Sequence, residues 1–367
     1  MIYFFVFIVL ALIGILNLVK FPKNQLYVKS FGLAAAFIIL VLFAGLRYNT
    51  GPDYRDYDIF FRDIYPLYDY DRIPFYIWEV LEPGFIILCS FFKTIVHNNQ
   101  FVFLGLALTS LSLFFYRLKE YSVLPLVTLF CYYVYGYPDN FSILRQVIAI
   151  NLFFWSIKYI INRNWALYFS TIVLACFFHQ SAVILFPLYF VINRHIQVKY
   201  IVIAFILAIC LFYLGFVPWL FNTLLDSLGG KYANYLSNQM LSQPKLLGTL
   251  FIERILILCL LLYKRKIFEA QNKYFNVFLN IYILYIIGYL LLSQVFVLLR
   301  FIQYFAFASC ILYPLLLFYF KEVYGKYIVY LLLVLILFFR GYTTLILDGK
   351  DGGNPNRYLP YKSVIES

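Results

Sequence analysis

Long uninterrupted apolar runs are the feature of this sequence that most constrains its fold. Examples are Ile2–Val19, Phe31–Leu46, Phe101–Tyr116 and Tyr200–Phe221. Runs of about 20 apolar residues are typical of transmembrane helices, because a helix satisfies its own backbone hydrogen bonds in hydrocarbon. The strands of a membrane barrel would instead alternate in polarity over roughly ten residues. The sequence therefore predicts an all-α, polytopic membrane protein.

The composition excludes the soluble classes of protein. Apolar residues make up 64% and charged residues 13% of the 367 residues, whereas soluble domains contain about 45–50% and about 25%. A soluble chain could not bury this excess of apolar side chains. The six cysteines stand singly within apolar runs, so neither a disulfide scaffold nor a metal site is predicted.

The net charge of the chain is +12, and the distribution of its basic residues indicates the orientation of the chain in the membrane. Basic residues lie in short loops between apolar runs, which is the pattern of cytoplasmic loops. No basic stripe or RNA-binding motif accompanies them, so no nucleic-acid partner is predicted. The predicted cytoplasmic loops are 20–29, 117–121, 162–164, 193–199, 264–273 and 321–326. The outer loops 138–142, 179–181 and 293–299 contain no lysine or arginine.

One apolar segment, Gly84–Val96, is too short to cross the membrane. About 13 helical residues span only about 20 Å, so the segment is predicted to be a re-entrant or interfacial half-helix with both ends outside. The other runs give about twelve transmembrane helices in a single membrane domain, 1–340, with both termini outside. The large outer loop is 47–83, the second outer loop is 222–245, and a short polar tail follows at 341–367.

The large outer loop is rich in acidic and aromatic residues. Eight of the 17 acidic residues lie between Asp53 and Glu82. Carboxylates accept hydrogen bonds from sugar hydroxyls, and aromatic faces pack against the C–H faces of sugar rings. An interfacial aromatic belt with a solvated acidic face explains the same composition, so both interpretations stay open.

Within this loop, the turn residues Gly51–Pro52 precede a short predicted helix. The spacing of Tyr54, Tyr57 and Phe61 indicates that helix. Asp53 either caps the helix or takes part in catalysis or substrate binding. Tyr54 and Tyr57 are candidate sugar-binding residues.

Three arginines map to the outer ends of their apolar runs, where the positive-inside bias disfavours them: Arg47, Arg145 and Arg300. A lone boundary arginine often only extends its side chain towards the interface. Three on one side predict a shared anionic ligand. His179 lies on the same side, and a histidine at a helical hairpin is either structural or catalytic.

Five short motifs follow one another along the chain. They are Arg47…Gly51-Pro52-Asp53-Tyr54-x-x-Tyr57, Glu82-Pro83-Gly84-Phe85, Arg145-Gln146-x-x-Ala149, Phe178-His179-x-Ser181 and Arg300-Phe301-x-x-Tyr304. In order and membrane placement they resemble the motifs of the Wzy O-antigen polymerases, most closely the EpsG-like branch. The resemblance covers about residues 30–320.

The resemblance implies a polymerase of bacterial surface polysaccharide, such as lipopolysaccharide O-antigen, capsule or exopolysaccharide. This glycosyltransferase would lie in the plasma (inner) membrane, with its active site facing the periplasm or the cell exterior. It would join undecaprenyl-diphosphate-linked oligosaccharides, one as donor and one as acceptor, with the bilayer and a chain-length regulator as partners and without a cofactor. A GT-C-like scaffold is compatible with this pattern.

Residue roles follow from this hypothesis. The three arginines would hold the diphosphate and stabilise the charge that develops on it as the glycosidic bond breaks. Asp53, Glu82 or His179 would take the proton of the acceptor hydroxyl in a direct, inverting transfer.

Some family members have two loops in which a glycine follows an arginine by eleven positions. No arginine here has that spacing, so a two-loop capture mechanism is not expected.

Two alternatives stay open. An O-antigen ligase, or another lipid-linked glycosyltransferase, would share the scaffold and differ in its product. A flippase of lipid-linked oligosaccharides would place its charges along a central path, whereas the candidate charges here concentrate at one face.

Overall fold

A computed structural model describes residues 2–19, 25–228, 248–347 and 358–364, without the side chains of 225–228 and 346–347. Within these ranges the chain is helical and contains no β-strand, which confirms the predicted all-α fold. Most of the predicted second outer loop, 222–245, lies outside the described residues.

The helices vary from one turn to six turns in length. In chain order they are α1 (Ile2–Ile15), α2 (Gln25–Gly45), α3 (Tyr54–Asp63), α4 (Phe75–Val80), α5 (Pro83–Ile95), α6 (Asn99–Tyr121), α7 (Pro125–Tyr135), α8 (Asp139–Ser142), α9 (Leu144–Ile161), α10 (Trp165–Phe178), α11 (Leu188–Val191), α12 (Val198–Tyr213), α13 (Phe216–Leu228), α14 (Thr249–Tyr263), α15 (Arg265–Gln271), α16 (Phe275–Leu292), α17 (Leu299–Gln303), α18 (Ala308–Leu312) and α19 (Val323–Tyr342). Short 3₁₀ segments occupy Leu67–Arg72, Gln180–Leu185, Phe296–Leu298 and Tyr313–Phe318.

Several helices are long and apolar enough to cross a membrane. By length and composition there are five in the described part of the chain, or up to seven if each of two bent pairs counts as one span. Shorter apolar helices accompany them, including α1, α5, α7 and α10. The polytopic helical architecture is thus confirmed, and the total of about twelve crossings stays a prediction.

Residues with known capping preferences start several of these helices. The side chain of Asn98 accepts hydrogen bonds from the backbone N–H groups of Gln100 and Phe101 at the start of α6. Asn164 caps α10 in the same way. Proline occupies the first turn of α5 and of α7, where its missing N–H has no helical partner to lose.

The chain divides into two compact units. Unit 1 comprises Met1–Phe186 and Tyr313–Ser367, and unit 2 comprises Pro187–Leu312. In unit 1, α2 packs against α6, α6 against α9, α9 against α10, and α1 against α7. Aromatic rings fill the core between these helices, as where Phe114 stacks on Tyr132 with ring centroids 3.8 Å apart.

Hydrogen bonds show which helix ends of unit 1 meet. The Tyr133 hydroxyl donates to the Tyr3 carbonyl at 2.8 Å, and Gln100 Nε2 donates to the Gly45 carbonyl at 2.6 Å. The start of α1, the end of α2, the start of α6 and the end of α7 therefore lie at the same end of unit 1, which we call the loop end. At the opposite end, the Leu126 N–H donates to Asn17 Oδ1 at 2.8 Å.

Helix α5 begins and ends at the loop end. At its C-terminal end, the Leu67 N–H donates to Thr94 Oγ1 at 2.9 Å, and the Lys93 ammonium donates to the Phe61 carbonyl. Its N-terminal residue Pro83 follows Glu82, which bonds to residues at the loop end as described below. That this short helix does not cross the membrane stays a prediction.

A C-terminal segment, residues 358–364, packs on the loop that follows α2. The Tyr48 N–H donates to the Lys362 carbonyl at 2.8 Å, and the Val364 N–H donates to the Leu46 carbonyl at 3.0 Å. An isolated antiparallel β-bridge joins Arg47 to Ser363. This part of the predicted polar tail therefore belongs to unit 1 and lies at the loop end.

Unit 2 has its own core and its own buried cations. Phe212 of α12 and Leu290 of α16 are buried together in it. The Arg254 guanidinium lies over the rings of Tyr285 and Tyr289, at 4.5 and 4.7 Å from their centroids. Such cation–π contacts stabilise an arginine inside an apolar helix packing.

Candidate functional site: a carboxylate shared by an arginine and a histidine

Three residues from distant parts of the sequence meet at the loop end of unit 1. Glu82 Oε2 accepts a hydrogen bond from Arg145 Nη1 at 2.7 Å, and Glu82 Oε1 lies 2.9 Å from His179 Nδ1. The Gln180 N–H also donates to Glu82 Oε1, at 3.2 Å. We call Glu82, Arg145 and His179 the polar triad. The carboxylate is 7% exposed, while the side chains of Arg145 and His179 are 22% and 13% exposed.

Each member of the triad stands at a helix terminus. Glu82 is the residue before α5, Arg145 is the second residue of α9, and His179 follows the last residue of α10. Gly84 brings the first of these ends close to the third, because a Cβ atom at Gly84 would lie 2.8 Å from the Phe177 carbonyl oxygen. The motif Glu82-Pro83-Gly84 therefore permits the close packing of α5 on α10 that the triad requires.

The electrostatics of the triad keep Glu82 ionised. Burial by itself raises the pKa of this carboxyl, but the hydrogen bond with His179 and the charge of Arg145 lower the pKa to about 2. An ionised carboxylate only accepts hydrogen bonds, so His179 Nδ1 carries the proton that Glu82 accepts. In the neutral imidazole, Nε2 is then the basic nitrogen. The geometry thus produces a histidine with a fixed tautomer.

Tyr57 completes the surroundings of Arg145. Its side chain hydrogen-bonds to Arg145, and burial raises its pKa despite that positive charge. Tyr57 and Tyr54 are each 6% exposed. The Tyr54 ring stacks on Phe103 at a centroid distance of 4.6 Å, and Tyr57 packs against Phe85 at 5.8 Å. Sugar binding by these two tyrosines stays a prediction, and their burial favours a role in holding α3.

Asp53 directly precedes α3, as predicted, but its side chain makes no capping hydrogen bond. Asp53 interacts electrostatically with Tyr57 and with Tyr358. It therefore lies near both the polar triad and the C-terminal segment. The geometry therefore does not support a helix-capping role for Asp53.

Arg47 lies deeper than Arg145. It is 1% exposed, its Nη1 donates to the Asn140 carbonyl, and its guanidinium lies 5.2 and 4.9 Å from the ring centroids of Phe103 and Phe141. Asn140 in turn accepts from Ser110 Oγ at 2.7 Å. Arg47 is thus part of a buried polar network that joins α2, α6 and the loop before α9.

The shared diphosphate site of the three predicted arginines stays a prediction. Arg145 belongs to the polar triad, Arg47 to the buried network, and Arg300 is exposed in α17 of unit 2. In the described ranges, no group of three or more His, Cys, Asp or Glu side chains has the arrangement of a metal site.

Two polar residues near the site did not stand out in the sequence. Asp139 begins α8 and is half-buried, and burial raises its pKa to about 7. Tyr358 of the C-terminal segment interacts electrostatically with Asp139 and hydrogen-bonds to the Ser142 side chain. In the sequence, the feature that could have pointed to Asp139 is its position in an outer loop without basic residues. Nothing in the local sequence of the tail indicated that Tyr358 reaches this loop.

Comparison with known proteins identifies a family for this chain. The family model described as the EpsG family matches residues 30–363, nearly the whole chain. Neither a curated protein nor a solved structure matches the chain. The extent of the family match and the apolar helices lead to one conclusion: this chain is an integral membrane protein that belongs to the EpsG family.

Proposed function

We propose that this protein joins undecaprenyl-diphosphate-linked oligosaccharide repeat units into a bacterial surface polysaccharide. Membership of the EpsG family supports a membrane protein of the polysaccharide polymerase kind. The observation that carries the proposal is the sharing of the Glu82 carboxylate between Arg145 and His179. This arrangement places a cation that can bind phosphate beside a base of fixed orientation.

In the proposed reaction, a hydroxyl of the acceptor saccharide attacks the anomeric carbon of the donor. The new glycosidic C–O bond forms while the C–O bond to the lipid diphosphate breaks. The electron pair of the broken bond leaves with the diphosphate, and the hydroxyl proton moves to the base. A single displacement of this kind inverts the anomeric configuration.

Of the three candidate bases, the geometry favours His179. Glu82, with a pKa of about 2, has little affinity for a proton at neutral pH. Its role is to orient the imidazole and to stabilise the imidazolium that forms when Nε2 takes the proton, as the carboxylate does in hydrolase triads. Asp53, which interacts electrostatically with Tyr57 and Tyr358, stays a further candidate base.

Arg145 is the residue of unit 1 best placed to bind the diphosphate. Its guanidinium has five N–H donors, and its bonds to Glu82, the Val80 carbonyl and Tyr57 leave donors unused among the described residues. Arginine forms charge-assisted, often bidentate bonds with phosphate oxygens. These bonds strengthen as charge develops on the leaving diphosphate. Arg300 remains a further candidate, and the burial of Arg47 favours a supporting role.

The proposal also includes the location of the reaction. The loops 138–142 and 179–181, beside Arg145 and His179, contain no lysine or arginine, whereas cytoplasmic loops are rich in them. In the loop 47–83, which contains Glu82, acidic residues outnumber arginines by eight to four. We therefore assign the loop end of unit 1 to the outer face of the plasma membrane, towards the periplasm or the cell exterior. At this face the enzyme would meet lipid-linked repeat units, the surrounding bilayer and a chain-length regulator.

Reconstitution tests the proposed function. The purified chain in nanodiscs is supplied with the host's undecaprenyl-diphosphate-linked repeat unit, and products are separated by gel electrophoresis. We expect a ladder of increasing repeat number and release of undecaprenyl diphosphate. Transfer of a finished chain to a lipid acceptor without a ladder would indicate a ligase. Movement of the unchanged substrate across a vesicle bilayer would indicate a flippase, and either result would refute the polymerase.

A further inference from the structure

A groove lies in unit 2, where two of the loops predicted to be cytoplasmic meet. Residues 195–198 and 262–269 form its wall. The groove is partly open and has a volume of about 590 Å³, within the range of about 300–1,000 Å³ that is typical of ligand pockets. Its charged and titratable wall residues are His195, Lys264, Arg265, Lys266 and Glu269. We call it the basic groove.

One guanidinium joins the two sides of the basic groove. Arg265 Nη1 donates to the Ile196 carbonyl at 2.6 Å, and Arg265 Nε donates to Glu269 Oε1 at 2.9 Å. Arg265 Nη2 donates to Asn276 Oδ1 at the start of α16, and the residue is 9% exposed. These bonds tie the loop before α12 to α15 and α16. The wall is therefore preformed, which lowers the ordering cost of binding a ligand there.

The wall carries more positive than negative charge. Glu269 is the one acidic residue among the described wall residues, and its ion pair with Arg265 balances its charge. Lys264 and Lys266 add two further cations. Lys266 is exposed and makes no hydrogen bond or ion pair with another described residue. His195 Nε2 lies 3.6 Å from Glu269 Oε1. Even with a neutral His195, the wall has an excess of two positive charges.

The positive-inside bias alone does not account for this arrangement. That bias explains why basic residues occur in these two loops, but it requires only that they lie on one side of the membrane. It does not require them to converge on a groove whose wall a buried arginine holds in place. The ligand complementary to such a wall is a phosphate-bearing anion, with which lysine ammonium groups form charge-assisted hydrogen bonds.

Apolar side chains next to the cations distinguish a lipid from a soluble phosphate. Val198 and Tyr263 of the wall are 47% and 75% exposed. The exposed residues Leu256 and Leu260 continue from Tyr263 along one face of α14. A soluble anion gains nothing from this surface, whereas acyl chains pack on it. Basic pockets between membrane helices on the cytoplasmic side are typical sites for phosphate-rich head groups such as that of cardiolipin.

We propose that the basic groove binds the phosphate head group of an anionic phospholipid of the cytoplasmic leaflet, with the acyl chains on the exposed face of α14. A head group with two phosphates, as in cardiolipin, matches the excess of two positive charges in the wall. The site lies within unit 2 and does not depend on the polymerase activity proposed above.

Native mass spectrometry of the full chain in detergent tests the site. Cardiolipin is the probe, and phosphatidylcholine, which has no net charge, is the competing lipid. We expect one cardiolipin to bind in preference to phosphatidylcholine. Lys266→Gln should weaken this binding about fivefold, as for the loss of one cation near an anionic lipid, and Lys266→Arg should retain it. Lys264→Gln should also weaken binding and tests the site if Lys266→Gln fails to fold.

The matched control is Lys273→Gln, which removes an exposed cation from the same predicted loop, 264–273, but from outside the groove. It should leave cardiolipin binding unchanged. Equal affinities of Lys266→Gln and Lys273→Gln would overturn the site and leave these lysines with a role in orientation only.

Inorganic phosphate, titrated calorimetrically into the same preparation, distinguishes the source of the anion. We expect it to bind far more weakly than cardiolipin. Phosphate binding that depends on Lys266, in a chain that does not prefer cardiolipin to phosphatidylcholine, would show that the lipid assignment is wrong and that the ligand is a soluble phosphate.

Discussion

His179 Nδ1 lies 2.9 Å from Glu82 Oε1, although 97 residues separate the two in sequence. The ionised carboxylate fixes the imidazole tautomer and holds Arg145 with its other oxygen. In the proposed mechanism this carboxylate acts through its neighbours, because its own pKa of about 2 is too low for proton transfer at neutral pH. The experiments below separate the roles of these residues.

Glu82→Gln tests the positioning role of the carboxylate. The amide cannot stabilise an imidazolium, and we expect kcat to fall about 100-fold, as for the loss of general base catalysis, with a smaller change in KM. The steady-state rate of undecaprenyl diphosphate release measures both parameters. Glu79→Gln is the control, since Glu79 is an exposed carboxylate three residues earlier in the same loop. Equal activity of both variants would contradict the role given to Glu82.

The pH dependence of stability follows from the lowered pKa of Glu82. Its folded pKa of about 2 is below the ordinary value of 4.5, so the stabilisation from its ionised form is fully present above about pH 4.5. This contribution is lost as the pH falls towards 2. We expect the thermal midpoint of the protein in nanodiscs to decline in this acidic range, and to decline less in Glu82→Gln. If the thermal midpoints of both proteins declined equally steeply with acidity, the decline would come from groups other than Glu82.

Much of the fold and part of the site could be predicted from the sequence. Apolar runs and loop charges depend on local composition, and they indicated the helical architecture and the short helix α5. Glu82, Arg145 and His179 were each recognised as candidates. Their sharing of one carboxylate depends on the packing of α5, α9 and α10, which no local pattern specifies.

The same limit explains what the sequence did not reveal. The spacing of Tyr54 and Tyr57 predicted their helix. Burial of the two rings follows from the packing of Tyr54 on Phe103 of α6 and of Tyr57 on Phe85 of α5. The pairing of Leu46 with Val364 joins residues at opposite ends of the chain. Such long-range contacts also create the surroundings of Asp139, whose raised pKa comes from burial.

Gly84→Ala tests the close approach of α5 to α10. The new methyl group would lie 2.8 Å from the Phe177 carbonyl oxygen, so one helix must move and Glu82 would separate from His179. We expect at least a tenfold loss of polymerisation, about 1.4 kcal/mol in activation free energy, with folded protein still present. Gly288→Ala is the control, because its methyl group meets Ile302 at an ordinary 3.6 Å. Full activity of Gly84→Ala would show that the approach is not needed.

Single-cysteine labelling tests whether α5 crosses the membrane. Cysteines at Tyr68, before α5, and at Val96, after it, would replace exposed residues in a chain whose six native cysteines are changed to alanine. We expect both to react with the same membrane-impermeant maleimide added outside intact cells. The C-terminal end of α5 hydrogen-bonds to the loop before it, and its N-terminal end directly follows that loop. Reaction of only one of them before permeabilisation would show that α5 crosses the bilayer.

Replacing Arg47 or Arg145 by methionine distinguishes the role of the buried Arg47 from that of the more accessible Arg145. Methionine keeps an apolar stem that can pack against Phe103 and Phe141, but Arg47→Met leaves the Asn140 carbonyl without its donor. A buried acceptor without a partner costs about 1–3 kcal/mol, so this variant should melt several degrees lower while folded protein retains most of its kcat/KM. Arg145→Met should lose about 100-fold in kcat/KM, as for the loss of a donor to a developing anion.

The two measurements together decide between separate roles and a shared diphosphate site. Thermal midpoints and kcat/KM are determined for both variants in the same nanodiscs. A normal midpoint with lost activity in Arg47→Met would mean that Arg47 turns towards the phosphate during the reaction, since its Nε and Nη2 have no hydrogen-bond partner among the described residues. Lost stability with retained activity would instead leave Arg145 as the phosphate-binding cation of unit 1, held by the carboxylate that also orients His179.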